Sequence, residues 1–401
     1  MLGNLTAAPQ DPLWKLADAY RADPRPEKMD LVIGVYRDEE GKTPVLHCVQ
    51  QAEARLAAAG ISKAYRSLSG NAEFNAGMAG LLLGANPSRL ARQYTIQTVG
   101  GTGALRLLGD FIALAMPWAT VWSTDPGYIN HKPIMEAAGL KFATYRWHER
   151  NGVLDTDAVL DDLAKAREGD VVLLHGCCHN PTGIDTPMET WTAIAELCER
   201  KGLVPLVDMA YQGFGAGLEE DAEGLRLLVD RLDTVLVAAS CSKNMGLYCE
   251  RTGVACVIGP NASSLELVGG VLERITRSNY SMPPEHGAAI AAMLLAHRDA
   301  WKEEVDGMRR RVAGIRAALG EVLAKQGAPE SMLGLARHKG MFSLLPLGAE
   351  AMTQLRHAYG IYGTQNGRIN IAGIRSNQIE PLVAALMAVC DTTSALRAKA
   401  A

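Results

Sequence analysis

The 401-residue sequence predicts an α/β protein with a mostly parallel central sheet in a large domain and a smaller α+β domain after it. Three observations predict this. Short apolar runs alternate with helical patterns through the middle of the chain, as βα units do. The polar residues that follow those runs fall at equivalent places, the carboxyl-end rim where open parallel sheets hold ligands. After Gln326 the alternation stops, and a hairpin-like pattern, a helix, a strand and a last helix follow.

In chain order, the first segment carries Pro9, Pro12, Pro24 and Pro26, so it is not one continuous helix. It is expected to pack on the small domain or on a partner subunit. Gln93–Val99 leads into Gly100, Gly101 and Gly103, and helical spacing then runs over Ala104–Ala115. Ala119–Ser123, Val171–His175, Leu203–Val207, Thr234–Ala239 and Thr252–Ile258 read as strands, being short and almost wholly apolar. Met188–Arg200 is helical up to the stop at Gly202. Gly287–Lys325 is too long for one compact helix, and a bend is expected near Arg298–Lys302, followed by a helix bridging two domains. Gly334–His338 and Met341–Pro346 are expected to form a hairpin across Lys339–Gly340, with a further strand at Arg368–Ala372. The division expected is an N-terminal segment (1–44), a large cofactor-binding domain (45–307) and a small domain (308–401).

Composition narrows the function classes. Hydrophobic residues make up 48%, charged residues 21%, and the net charge is -4, an ordinary globular balance. Sequence-independent nucleic-acid binding needs a basic surface that this chain lacks. Eight cysteines without a disulfide-like framework, and no cationic, apolar leader, point to a reducing cytoplasm. No apolar stretch approaches the roughly 20 residues that span a bilayer; Asp110–Met116 is closed by Pro117. A protein in solution, without a membrane or nucleic-acid partner, is expected.

The chemistry gathers where the apolar runs end. Val171–His175 is followed by Asn180-Pro-Thr-Gly183, Leu203–Val207 by Asp208 and Tyr211, Thr234–Ala239 by Ser240, Ser242 and Lys243, and Ala119–Ser123 by Asp125-Pro-Gly-Tyr128. A lysine at a sheet rim suits carbonyl chemistry, because desolvation or neighbouring cations lower its pKa and its neutral amine forms a Schiff base. Gly100-Gly101-Thr102-Gly103 opens a helix, and its exposed amides and the Thr102 hydroxyl suit an anion such as phosphate, although the run also suits a plain turn. Asp208 is costly to bury unpaired; it serves either as a helix cap or as the partner of a protonated heterocyclic nitrogen. An aldehyde, a phosphate and a pyridine nitrogen together describe pyridoxal 5'-phosphate. A metal reading was weighed for His175, Cys177 and His179, which strand alternation would put on one face. The Asn180-Pro181 turn and the lack of a second ligand cluster favour a structural strand end, and no metal is expected.

At these residues the chain resembles a known family. His175-Gly-Cys-Cys-His-Asn-Pro-Thr-Gly-Ile184, Asp208-Met-Ala-Tyr-Gln-Gly-Phe214, Ser240-Cys-Ser-Lys-Asn-Met-Gly-Leu-Tyr248 with Glu250-Arg251, Asn279-Tyr-Ser-Met-Pro-Pro284 and Gly367-Arg-Ile-Asn-Ile-Ala-Gly373 are similar to the aspartate and aromatic amino-acid aminotransferases of class I, fold type I. Gly34-Val-Tyr-Arg-Asp38 and Gly41-Lys-Thr-Pro-Val45 fit the family's N-terminal segment. The resemblance implies that Lys243 holds pyridoxal phosphate as a Schiff base, that Asp208 pairs with its ring nitrogen, and that Asn180 and Tyr211 bond its phenolic oxygen. Gly101, Thr102, Ser240, Ser242 and Arg251 would bind phosphate, with Tyr65 of a second subunit in a homodimer. Arg368 would clamp the substrate α-carboxylate with Asn180 and the Gly34 backbone, and Arg277 would reach across the dimer to a distal carboxylate.

Two departures bear on substrate. Where the family commonly has tryptophan over the cofactor ring, this chain has Tyr128, which keeps an aromatic face without the indole donor. Where aspartate enzymes often have asparagine near the distal-carboxylate arginine, it has Met282, flexible and apolar. The expected function is therefore an aromatic-amino-acid aminotransferase acting on tyrosine and phenylalanine, and also on aspartate or glutamate, with 2-oxoglutarate as acceptor and ping-pong kinetics. The alternative within the class is a predominantly aspartate-specific enzyme, supported by Arg277 and Thr102. The alternative outside it is a noncatalytic pyridoxal-phosphate sensor, expected to carry a DNA-binding segment ahead of motifs that here begin by about residue 30.

Overall fold

The computed structural model describes residue 2, residues 10–150 and residues 152–400, with 391–400 described for the backbone alone. Pro9 lies outside the described residues. The described chain divides into two units, Pro44–Asn180 with Ile184–Arg311, and Met1–Thr43 with Pro181–Gly183 and Val312–Ala401.

The larger unit is built on seven strands: β1 (Gln93–Val99), β2 (Thr120–Asp125), β3 (Lys141–Arg146), β4 (Val171–His175), β5 (Val204–Met209), β6 (Val235–Ser240) and β7 (Thr252–Ile258). Their order across the sheet is β1-β7-β6-β5-β4-β2-β3. The pairs from β6 to β3 are parallel, whereas β7 runs against both β6 and β1. Residues of β4, β6 and β7 are buried along their whole length, so these strands read as continuous apolar runs rather than alternating ones. Ile96, Val121, Val171, Leu173, Leu206, Leu236 and Ala255 pack with Leu105, Leu107, Leu108 and Ile112 of the helix Gly100–Ala115 in one core.

Several sequence expectations shift by a residue or two at strand ends. The helix Met188–Lys201 does stop at Gly202, whose left-handed φ of 65° a residue with Cβ adopts only at a cost. The long apolar pattern breaks at His297, between the helices Glu285–Ala296 and Arg298–Lys325, just ahead of the expected bend.

In the smaller unit, the helix Pro12–Ala22 starts at Asp11, which accepts from the Leu13 and Trp14 amides. Leu16 packs with Val32 and Tyr362, and Met29–Asp30 pairs in parallel with Ile361–Tyr362. The hairpin expected across Lys339–Gly340 is not formed. Gly334–Ala336 instead continues the short helix Glu330–Leu333 as a 3₁₀ turn, and β8 (Phe342–Leu344) pairs antiparallel with β9 (Arg368–Asn370). The helix start behind Pro329 commits 330–336 to local bonds and leaves β8 to a partner distant in sequence. Beyond Asn370 the expected strand gives way to the 3₁₀ turn Ile371–Gly373.

Candidate active site

The carboxyl ends of β1, β2, β4, β5 and β6 share one rim, and the antiparallel β7 brings its start to the same place. His175 stands opposite Asp208, Ser240 opposite Gly253, and Val99 opposite Thr252. Five segments far apart in sequence therefore meet at one edge.

Asp208 is buried, and its Oδ2 lies 2.9 Å from His131 Nε2. Burial opposes its charge, but the His131 hydrogen bond and the fields of His131, His175 and Lys243 outweigh it and hold the carboxyl below its ordinary range. His175 is also pulled down, to about 3, first by burial and then by His131, so it is neutral. Neither of its ring nitrogens has a hydrogen-bond partner among the described residues. The ligand atoms of His131, His175 and Asp208 lie within 4.8 Å of one another, a polar niche facing whatever Asp208 serves. Cys177 belongs to a different group, with Cys178 and Asp221, so the His175, Cys177 and His179 set weighed from the sequence does not assemble. His179 stacks on Trp147 at 4.7 Å and meets Thr124 Oγ1 at 2.9 Å instead.

Lys243 follows β6 in a turn, and its Nζ lies 5.2 Å from the centre of the Tyr211 ring. Burial lowers its pKa to about 8, with Arg251 acting the same way and Asp208 opposing both. About a tenth of the amine is thus neutral at pH 7, far more than an ordinary lysine offers, and covalent capture of an aldehyde requires that neutral form. Asn180 Nδ2 donates to Tyr211 Oη at 3.4 Å, and the half-buried Tyr128 sits edge-on to His131, with centroids 5.2 Å apart.

The helix Gly100–Ala115 begins in this niche with no acidic residue in its first turn, leaving its amino end free for an anion. Gly100 has φ +66°, and a Cβ there would lie 2.7 Å from Arg251 Nη2; one at Gly101 would lie 3.1 Å from Ser240 Cβ. Glycine thus lets the helix start close on the guanidinium and the serine. Ser240 Oγ donates to Ser242 Oγ at 3.0 Å and accepts from the Ser242 amide at 3.1 Å. Both serines are buried, and Thr102 is exposed at the mouth. The result is a cradle of amides, hydroxyls and one guanidinium, suited to phosphate.

Arg368, Tyr65 and Arg277 are the remaining side chains expected at the site. In the smaller unit, Arg368 is buried and donates through Nη2 to the Val32 carbonyl at 2.8 Å, close to Gly34 in sequence. In the larger unit, Tyr65 is 94% exposed. It lines a cavity of about 500 Å³ with Ile61, Arg66, Met282 and Pro283, and Met282 Sδ accepts from the Arg66 amide at 3.2 Å. Arg277 is exposed, with Nη1 3.2 Å from Ser281 Oγ. Sequence reasoning missed His131. Its signal was a histidine three residues beyond Tyr128, opening the helix His131–Ala137 at the same rim.

The family model described as aminotransferase class I and II matches residues 26–386. An aspartate aminotransferase of Salmonella typhi is 43% identical over 395 residues, covering 97% of this chain and all of that protein. An aromatic-amino-acid aminotransferase of Pseudomonas aeruginosa is likewise 43% identical, over 392 residues, with 96% and 98% covered. Among solved structures, an aromatic-amino-acid aminotransferase of Burkholderia pseudomallei, covalently bound to pyridoxal phosphate, superposes with a TM-score of 0.94 at 36% identity, over 97% of this chain and 99% of that one.

Proposed function

The chain belongs to the class I and II aminotransferases, and on that premise we propose that it moves amino groups from tyrosine and phenylalanine, and also from aspartate or glutamate, to 2-oxoglutarate. It is a pyridoxal-phosphate-dependent transaminase. The cofactor supplies an aldehyde for the amino group and a protonated ring that draws electrons from the substrate Cα.

The residues divide the work by their chemistry. Lys243 would hold the aldehyde of the cofactor, and its amine, when free, would move a proton at the substrate Cα. Asp208, kept anionic with the help of His131, holds the ring nitrogen protonated. Asn180 and Tyr211 bond the phenolic oxygen, and Tyr128 supplies an aromatic face. Gly101, Thr102, Ser240, Ser242 and Arg251 hold the phosphate. Arg368 offers the α-carboxylate a planar fork that a lysine does not match, and the Gly34 backbone and Asn180 would help to bind it. Tyr65 and Arg277 serve the neighbouring subunit of a homodimer, in the cytoplasm. Among the described residues no helix is long and apolar enough to cross a membrane.

Met282 carries the substrate assignment. A flexible thioether stands next in sequence to Ser281, whose hydroxyl lies 3.2 Å from Arg277 Nη1, and its sulfur accepts from the Arg66 amide in a cavity lined also by Ile61 and Pro283. Such a surface favours a large side chain over a small dicarboxylate. Arg277 itself favours the second reading, a mainly aspartate-specific enzyme, because no carboxylate among the described residues pairs with it. Comparing kcat/KM for tyrosine, phenylalanine and aspartate decides between the two. A large preference for aspartate would defeat the aromatic assignment.

A further inference from the structure

The smaller unit builds a support beneath Arg368 that involves residues without an assigned role. Phe342 stands opposite Asn370 and Leu344 opposite Arg368, so Phe342 and Arg368 are diagonal neighbours across β8 and β9. The Arg368 guanidinium carbon lies 4.6 Å from the centre of the Phe342 ring, within cation–π range. Its Nη2 is committed to the Val32 carbonyl, while Asn370 Nδ2 donates to the carbonyls of Ile33 at 2.8 Å and Val35 at 2.7 Å. The backbone from Val32 to Val35 is thereby tied to β9. Gly34 lies in the middle of it, and a Cβ there would meet Phe342 Cζ at 2.5 Å. The ring fills the place of the side chain that Gly34 lacks.

The ring's own backbone is anchored from behind. Arg316, 3% exposed on the helix Arg298–Lys325, donates through Nη2 to the carbonyls of Phe342 at 2.5 Å and Gly340 at 2.9 Å. Its Nη1 reaches Ser343 Oγ at 2.7 Å and the Leu335 carbonyl at 2.9 Å. One buried guanidinium thus fixes the strand from which Phe342 projects.

We propose that Phe342, anchored by Arg316, is the positioning residue that sets the plane of the Arg368 guanidinium, and that carboxylate affinity follows the electron density of this ring. Bidentate binding needs the fork and the carboxylate nearly coplanar. With one nitrogen on Val32 and a face on the ring, the guanidinium plane is held at one tilt. An aliphatic side chain fills the volume but supplies no negative face to hold that tilt. The inference rests on the reading of Arg368 as the α-carboxylate clamp.

The test uses the holoenzyme and 3-phenylpropionate, an unreactive monocarboxylate without a second charge for Arg277. Its Kd is measured by calorimetry, beside KM and kcat for tyrosine. Phe342→Leu should raise Kd and KM about tenfold with little change in kcat, and Phe342→Tyr should bind like the parent. Replacing Phe342 by phenylalanines of increasing fluorination, which keep its shape, should weaken binding stepwise. Flat affinity across that series, or equal losses for Phe342→Leu and Phe342→Tyr, would overturn the proposal. Arg368→Ala is measured in parallel. If it binds 3-phenylpropionate normally, the clamp reading falls and the inference with it; if it loses binding while the fluorinated series stays flat, only the positioning role falls.

Discussion

At the scale of single residues, the lowered pKa of Lys243 has a measurable signature. Burial, helped by Arg251, brings it to about 8, so the unfolded chain binds more protons than the native one between pH 8 and the ordinary lysine range. The apoenzyme should gain stability with rising pH across that window, relative to Lys243→Met, and lose the gain below pH 8. Acylation of Lys243 in the apoenzyme, followed by mass spectrometry, should show a midpoint near pH 8. A midpoint in the ordinary lysine range would contradict the burial described for its amine. Lys243→Ala should abolish turnover in a transamination assay while the cofactor still binds noncovalently. Arg277→Ala should cost aspartate much more than tyrosine in kcat/KM, because only a dicarboxylate leaves a charge unpaired; equal losses would remove Arg277 from substrate recognition. The rim positions of Lys243, Asp208, Asn180 and Ser240 were legible because each lies at most a few residues beyond an apolar run, a local signal. The partner of Asp208 was not, since His131 lies 77 residues away and reaches it only through the direction in which one short helix leaves β2.

At the scale of elements, the phosphate cradle depends on how closely β7 passes the start of the helix Gly100–Ala115. A Cβ on Gly253 would lie 2.5 Å from the Ala239 carbonyl oxygen and 2.7 Å from the Gly100 carbonyl carbon, both backbone atoms without rotamers to yield. Gly253→Ala should therefore destabilise the apoenzyme by about 2 kcal/mol in urea unfolding and weaken pyridoxal phosphate binding in equilibrium dialysis. Unchanged values for both would mean that the backbone gives way freely. The central strands were readable because burial on both faces leaves short, continuous apolar runs closed by polar turn residues. β8 and β9 lie within the expected strands Met341–Pro346 and Arg368–Ala372, but their pairing with each other was not readable, since three-residue strands carry almost no periodic signal and the apparent hairpin partner 334–338 contained enough helical preference to close its own turn.

At the scale of the whole molecule, the proposed homodimer with shared active sites makes a prediction that a self-contained subunit would not meet. Lys243→Ala and Arg277→Ala homodimers should each lack dicarboxylate transamination. Hybrids of the two should recover it, because one site then receives an intact lysine from one subunit and an intact arginine from the other. No recovery in hybrids verified by tagged purification would confine both residues to one subunit. The order of the sheet carries a further consequence, for biosynthesis. Among the described strands β1 pairs with β7 alone, so when Gln93–Val99 leaves the ribosome its strand partner has yet to be translated, and the intervening strands emerge first. A nascent chain must therefore carry an unpaired strand edge while residues 100–251 are made. Stalled translation products ending before Thr252 should demand a holding chaperone that those extending past Ile258 do not.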